Sequence, residues 1–230
     1  MALSGTTLRR AFTLGLLTGA VYFTGTLYWI TGVMAMYGDM ALWVAVLINA
    51  GLVAYQAVYT GIFALILRRI VLAHGAPALM AAPIVWVATE LGRTHVLTGF
   101  PWVLLGYSQT SVLPIAQLAS LFGVYGVSML VASVSAALAV CAVSNAKPEK
   151  PAKVRSYAPV VIVFSIVMGV AVWGRRRAAM AEWTHAGDPI RVGLIQGNID
   201  QHEKIEAGRA GAVFQDYLRL TRQARVSILF

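Results

Sequence analysis

The chain has 230 residues, 59% of them hydrophobic and 12% charged, with a net charge of +9 and a mean hydropathy of +0.73. Soluble proteins carry roughly 25% charged residues, so this composition excludes a purely water-soluble protein. One cysteine, no glycine period and abundant aliphatic residues likewise exclude a disulfide scaffold, collagen and intrinsic disorder.

Taken in chain order, the charges leave long gaps. Ala11 to Gly38 is uncharged for 28 positions, and Met40 to Leu67 for another 28. Ile70 to Thr89 is broken only by His74, Val96 to Ala146 is uncharged, and so is Ser156 to Gly174. A bilayer core takes roughly 20 apolar residues as a helix. The pattern therefore predicts a membrane all-α helical bundle of about five transmembrane helices, near 11–36, 41–67, 77–97, 112–143 and 157–174. Gly15 and Gly19 in the first span form a small-xxx-small pair that lets another helix approach closely. Tyr28, Trp29, Tyr37 and Trp43 cluster around the first turn, as in an interfacial aromatic belt.

Basic residues orient such a bundle. Arg9 and Arg10, Arg68 and Arg69, and Lys147, Lys150, Lys153 and Arg155 all fall on one side of a five-span path, while Arg175, Arg176 and Arg177 fall on the other. Eight against three place the N-terminus in the cytoplasm and the C-terminus outside. The positive balance is thus a topology signal rather than a nucleic-acid footprint. The first apolar run is too long for a cleavable signal peptide and lacks a clear cleavage site.

At Gly187 the texture changes. Ile190 to Ile195 reads as a strand ending in a turn at Gln196, Gly197 and Asn198. Ala210, Val213, Phe214, Tyr217, Leu218 and Thr221 recur at helical spacing, and Val226 to Phe230 reads as a second strand. Strand, helix and strand make an α/β beginning, and so few residues are near the limit of independent stability. The expected division is residues 1–178 as the membrane domain and 188–230 as an incomplete N-terminal piece of a soluble domain.

Glu90 is the one acidic residue well inside a hydrophobic span. Ionisable groups there cost about 2.5–3.5 kcal/mol on insertion scales and tend to be functional; the plain alternative is an i,i+3 pair with Arg93. Thr98-Gly99-Phe100-Pro101-Trp102 follows, then Gly106-Tyr107-Ser108-Gln109, an interfacial or re-entrant turn in which Gly and Pro break the helix. His95 beside it reads as a local hydrogen-bonding residue, and Cys141 as a small packing residue inside the fourth span. His74, His95, His185 and His202 are scattered, so no metal site is expected. No Gly-rich phosphate loop and no Gly-x-Ser-x-Gly elbow occurs.

Glu90, Thr98 to Trp102, Gly106 to Gln109, the basic loop, the last span and Val192-Gly193-Leu194-Ile195-Gln196-Gly197-Asn198-Ile199 stand in an order that resembles the apolipoprotein N-acyltransferases of bacterial inner membranes. The resemblance covers nearly the whole chain from about Arg9. It implies a multi-pass inner-membrane enzyme with a periplasmic nitrilase-like domain and no cofactor. Its partners would be a phospholipid acyl donor, a diacylated lipoprotein acceptor and membrane lipids. The family moves a fatty acyl chain to the α-amino group of an N-terminal diacylglyceryl-cysteine through a Glu-Lys-Cys triad and a thioester. Substrate- or lipid-facing residues would then be Glu90, Thr98, Phe100, Pro101, Trp102, Tyr107 and Gln109, with Gln196, Gly197 and Asn198 opening the nitrilase-like part.

The sequence departs from the family in three ways. Five spans precede the soluble segment where the family has seven. The family's Glu, Lys and Cys lie beyond Phe230, so no catalytic residue is assigned and these 230 residues alone are expected to be inactive. Asp200 and Ile205 stand where the family often has Pro and Trp. The alternative from another class is a non-enzymatic membrane module that binds lipid or a partner nitrilase-like chain.

Overall fold

The computed structural model describes residues 6–145, 157–180, 187–188, 192–200, 207–223 and 228–229. Helix α1 (Leu8–Leu27) starts at Thr7, whose hydroxyl accepts the Arg10 N–H, and after a break at Tyr28 the chain continues as α2 (Trp29–Tyr37). Helix α3 (Leu42–His74) has 33 residues, about 50 Å at 1.5 Å per residue. It ends at Gly75, whose φ of +80° suits glycine and whose N–H closes on the Val71 carbonyl.

The third span expected near 77–97 is not one helix. A 3-10 turn (Ala76–Ala81) leads into α4 (Ala82–His95), only 14 residues long, with a proline in the first turn of each. Pro77 and Pro83 have no N–H to give to a preceding turn, so each can open a helix but not continue one. The fourth expected span is also broken. A short helix α5 (Leu113–Ala116) precedes α6 (Ala119–Asn145), which kinks at Gly123, where φ is +63°. Helix α7 is Ala158–Met180. Among the described residues, four stretches are long and apolar enough to cross a membrane: Leu8–Tyr37, Leu42–His74, Ala119–Val143 and Ala158–Met180.

Side-chain contacts fix how these helices run. Gly15 lies against Thr60 and Ala64 and Gly19 against Ala57 and Thr60, so α1 and α3 are antiparallel and touch through the small residues. At the far end of that seam Asn49 donates to the Leu27 carbonyl at 3.2 Å and to Thr31 at 2.9 Å. Leu67 and Val71 pack on Leu79 and Ala82, Phe63 meets Trp86 edge to face, and the Tyr55 hydroxyl donates to the Val96 carbonyl. The 76–95 segment therefore retraces α3 in the opposite direction. Gly174 of α7 sits against the Pro114 carbonyl, with Val167 and Val170 beside Val127 and Leu130. One end of the bundle thus gathers the start of α1, the end of α3 and the end of α6; the other gathers α2, the loop from Val96 to Leu118 and the end of α7. Arg9, Arg10, Arg68 and Arg69 lie at the first end, whereas Lys147 to Arg155 lie outside the described residues.

Beyond the bundle, β1 (Val192–Gly193) pairs in parallel with β2 (Ile228–Leu229), and α8 (Ala210–Gln223) lies between them in sequence. The strands expected over 190–195 and 226–230 are observed only at these two-residue cores, and Ile190, Arg191, Val226, Ser227 and Phe230 lie outside the described residues. Val213, Tyr217 and Leu218 on the apolar face of α8 are half-buried, while Phe214 is exposed.

A Cβ at Gly19 would come within 2.9 Å of the Ala57 backbone, where nothing flexible can yield. Gly19→Leu should therefore lower stability by about 1–3 kcal/mol, the usual cost of overpacking. Unfolding in detergent micelles measures this, and an unchanged transition would contradict the α1–α3 seam.

Candidate functional site

The loop after α4 contains backbone that an ordinary chain avoids. Leu97, Thr98 and Val103 have φ of 52°, 70° and 56°, and Gly99 has φ of 81°. Left-handed geometry at non-glycine residues costs about 1–3 kcal/mol each and persists only where surroundings over-determine it; at β-branched Thr98 and Val103 it is least expected. Gly99 is the position where a side chain is excluded outright, because a Cβ there would fall onto the Thr94 carbonyl.

Two charged side chains of α4 supply the constraint. Arg93 is 3% exposed and Glu90 is 2% exposed. Arg93 Nη1 donates to the Trp102 carbonyl and Nη2 to the Val103 carbonyl, each at 2.8 Å. The Glu90 carboxylate accepts the Leu105 N–H through Oε1 at 2.7 Å. The Phe100 N–H returns to the Arg93 carbonyl at 2.8 Å, and the Gly106 N–H donates to Ser128 Oγ of α6 at 2.8 Å. The loop from Phe100 to Gly106 is thereby fastened at five backbone groups, three of them by the side chains of Arg93 and Glu90. The two charges approach to 3.9 Å, longer than a hydrogen bond, so the i,i+3 pair is an electrostatic neighbour contact. The guanidinium also lies 5.4 Å from the centroid of the Phe23 ring on α1, within cation–π range. Glu90 Oε2 has no hydrogen-bond partner among the described residues.

Around this clamp the sequence-predicted residues divide. Phe100 packs with Val103 onto Phe23, Leu27 and Val53. Trp102 is 49% exposed and stacks on Trp29 of α2 at 5.3 Å with the planes 11° apart. The Tyr107 hydroxyl donates to the Pro101 carbonyl, and Gln109 Nε2 donates to Ser108 Oγ. Pro101, Thr98 and Tyr107 are exposed, and Gln109 is half-exposed. His95 makes local contacts, with Nδ1 2.9 Å from the Leu91 carbonyl and 3.0 Å from Thr94 Oγ1. Glu90 and Phe100 thus form the inner face of one loop, and Trp102, Pro101 and Tyr107 its outer face. Gln196, Gly197 and Asn198 lie in the irregular stretch after β1: Asn198 has φ of 48°, and Gly197 lies against Tyr217 of α8.

Sequence reasoning did not find Ser128 or the hold of Arg93 on two carbonyls. Ser128 is a single hydroxyl in an apolar helix and gives no periodic signal. Arg93 carried one, since a cation within a run that also holds a carboxylate has to find acceptors.

The family model described as the apolipoprotein N-acyltransferase N-terminal domain matches residues 1–137. The apolipoprotein N-acyltransferase of Geobacter metallireducens is 37% identical over 217 residues, covering 94% of this chain and 40% of that protein. That of Chromobacterium violaceum is 34% identical, covering 96% of this chain and 41% of its own length. That of Vibrio parahaemolyticus is 30% identical with coverages of 96% and 41%. The chain spans about 40% of the length of the curated relatives it matches.

Arg93→Gln removes both carbonyl contacts and leaves Glu90 buried, so it should cost about 3–5 kcal/mol, the range for breaking a buried pair. Glu90→Gln leaves Arg93 without its counter-charge but keeps both carbonyl contacts and an acceptor for Leu105, so it should cost less, about 1–3 kcal/mol, the range for a disturbed buried polar group. Denaturant unfolding in micelles compares them; equal losses would show a simple pair with no separate grip on the loop.

Proposed function

This chain belongs to the apolipoprotein N-acyltransferase family, and from that premise we propose that its activity is the one its relatives are named for. The reaction is transfer of a fatty acyl chain from a phospholipid to the N-terminal amine of a diacylglyceryl-cysteine on a lipoprotein. The carrying observation is the match over 94% of the chain, spanning both the helical bundle and the soluble segment. Residues 1–178 act as the membrane region and 188–230 as the beginning of a nitrilase-like domain; the parallel β1–α8–β2 arrangement supports that reading.

The bundle sits in the bacterial inner membrane with five crossings. Four are the long apolar helices. The fifth is the composite 76–95 segment, whose 3-10 turn and helix together rise about 33 Å, enough for a hydrocarbon core of about 30 Å. Arg9, Arg10, Arg68 and Arg69 at one end support a cytoplasmic N-terminus and a periplasmic exit from α7. Arg175 to Arg177 at that exit oppose the rule in part; Arg177 lies over the Trp173 ring at 5.5 Å, a pairing suited to the interface.

In this orientation the 96–112 loop faces the outer leaflet beside the soluble domain. Trp102, Pro101 and Tyr107 offer an exposed aromatic surface at the membrane boundary, where a phospholipid or a diacylated N-terminus presents both apolar chains and polar ester groups. Glu90 and Arg93 hold that surface in place and do not touch substrate. Acyl transfer through a thioester needs a cysteine thiolate as nucleophile. Cys141, the one cysteine of the sequence, is buried in α6 within the bundle, so it packs rather than reacts.

Residues 1–230 alone should therefore give no acyl transfer above a no-protein control with phospholipid and a diacylated lipopeptide. The same residues joined to the unmatched remainder of the Geobacter relative should transfer the acyl chain. A folded, membrane-inserted chimera without activity would contradict the proposed function, as would turnover by the 230 residues alone.

A further inference from the structure

A cavity of about 510 Å³ lies between α1, α3, the 76–95 segment and α6, away from the loop surface described above. Its walls extend from Thr60 to Val71 on α3 and from Ala132 to Val143 on α6. Each stretch is 11 helical steps, about 16 Å. The inner end is closed by Trp86, packed edge to face on Phe63, and by Leu105, whose N–H is held by Glu90. From there the cavity runs toward the end of the bundle that carries Arg9, Arg10, Arg68 and Arg69.

We infer that this cavity holds one acyl chain of a resident membrane phospholipid, in the leaflet opposite the loop. Three observations select that occupant. Length is the first: about 16 Å is close to half of a hydrocarbon core of about 30 Å, the depth one leaflet gives its chains. Width is the second. A volume of about 510 Å³ along that length is an elongated slot with room for a chain, well short of the space filled by a helix about 10–12 Å across with its side chains. Charge is the third: Arg9, Arg10 and Arg69 are exposed at the end where a lipid phosphate would lie, and basic side chains near the surface attract anionic lipid. The lining is apolar, but burying methylenes against it gains hydrophobic free energy only if they leave water; the driving force inside a bilayer is therefore close packing in a shaped slot together with the phosphate contact. This lipid is not the acyl donor, because the Glu90–Arg93 clamp stands between the cavity and the exposed loop face. The inference needs the membrane setting and does not depend on acyl transfer.

The test uses the 230-residue protein reconstituted in vesicles of phosphatidylethanolamine and phosphatidylglycerol at 3:1, then extracted into mild detergent. Native mass spectrometry should show one phospholipid that survives activation sufficient to strip the others. Ala139→Phe, which narrows the slot from the α6 wall, should reduce that retained fraction by at least fivefold. In vesicles containing phospholipid brominated along its acyl chain, tryptophan quenching should fall in Trp86→Phe relative to the unsubstituted protein, and this Trp86 component should be lost in Ala139→Phe. No retained lipid, equal retention in Ala139→Phe, or a slot occupied by a second copy of the chain, seen as a cross-linked dimer through position 139, would overturn the inference. Retained lipid in an inactive chimera would leave it standing while removing the acyltransferase reading.

Discussion

Arg93 stands almost fully buried inside an apolar bundle, where a guanidinium has five N–H donors and no water to receive them. The nearest available acceptors are backbone carbonyls of the chain that follows its own helix. Two of them, at Trp102 and Val103, accept at 2.8 Å, and Glu90 three residues earlier takes the Leu105 N–H. Irregular backbone at membrane depth is tolerated only where its polar groups are met by protein. The charged pair and the strained loop therefore require each other: the loop gives buried charges their partners, and the charges hold Val103 in left-handed geometry.

Much of the bundle can be read from charge gaps, because the membrane allows few alternatives to a helix across an apolar run. Gly15 and Gly19 likewise announce their role, since small residues four apart permit close approach and α3 presents Ala57, Thr60, Gly61 and Ala64 opposite them. Element boundaries are less legible. Hydropathy averages over Pro77 and Pro83, so the 77–97 stretch looks like one span although each proline starts a new helical segment. The same averaging hides the kink at Gly123 and the short helix before it.

The site shows the same division. Glu90 stands out in sequence as a carboxylate in an apolar run, and Arg93 as its neighbour at i,i+3. Their division of labour is not visible there, because it depends on where the backbone of residues 100–106 folds back. Nor does the order of aromatics reveal that Trp102 stacks on Trp29, 73 positions earlier, which joins the loop to the first passage of the chain. In the proposed function this surface is an aromatic face at the membrane boundary. The chemistry of the fold gives it rigidity.

Arg93 and Glu90 hold the loop, and amide hydrogen exchange in lipid nanodiscs reads that hold, because exchange reports local opening rather than global stability. The amides of Phe100, Leu105 and Gly106 should be protected in the unsubstituted protein. In Arg93→Gln that protection should be lost across residues 99–106 while α3 and α6 keep theirs. Unchanged protection of the loop in Arg93→Gln would show that Arg93 does not hold it.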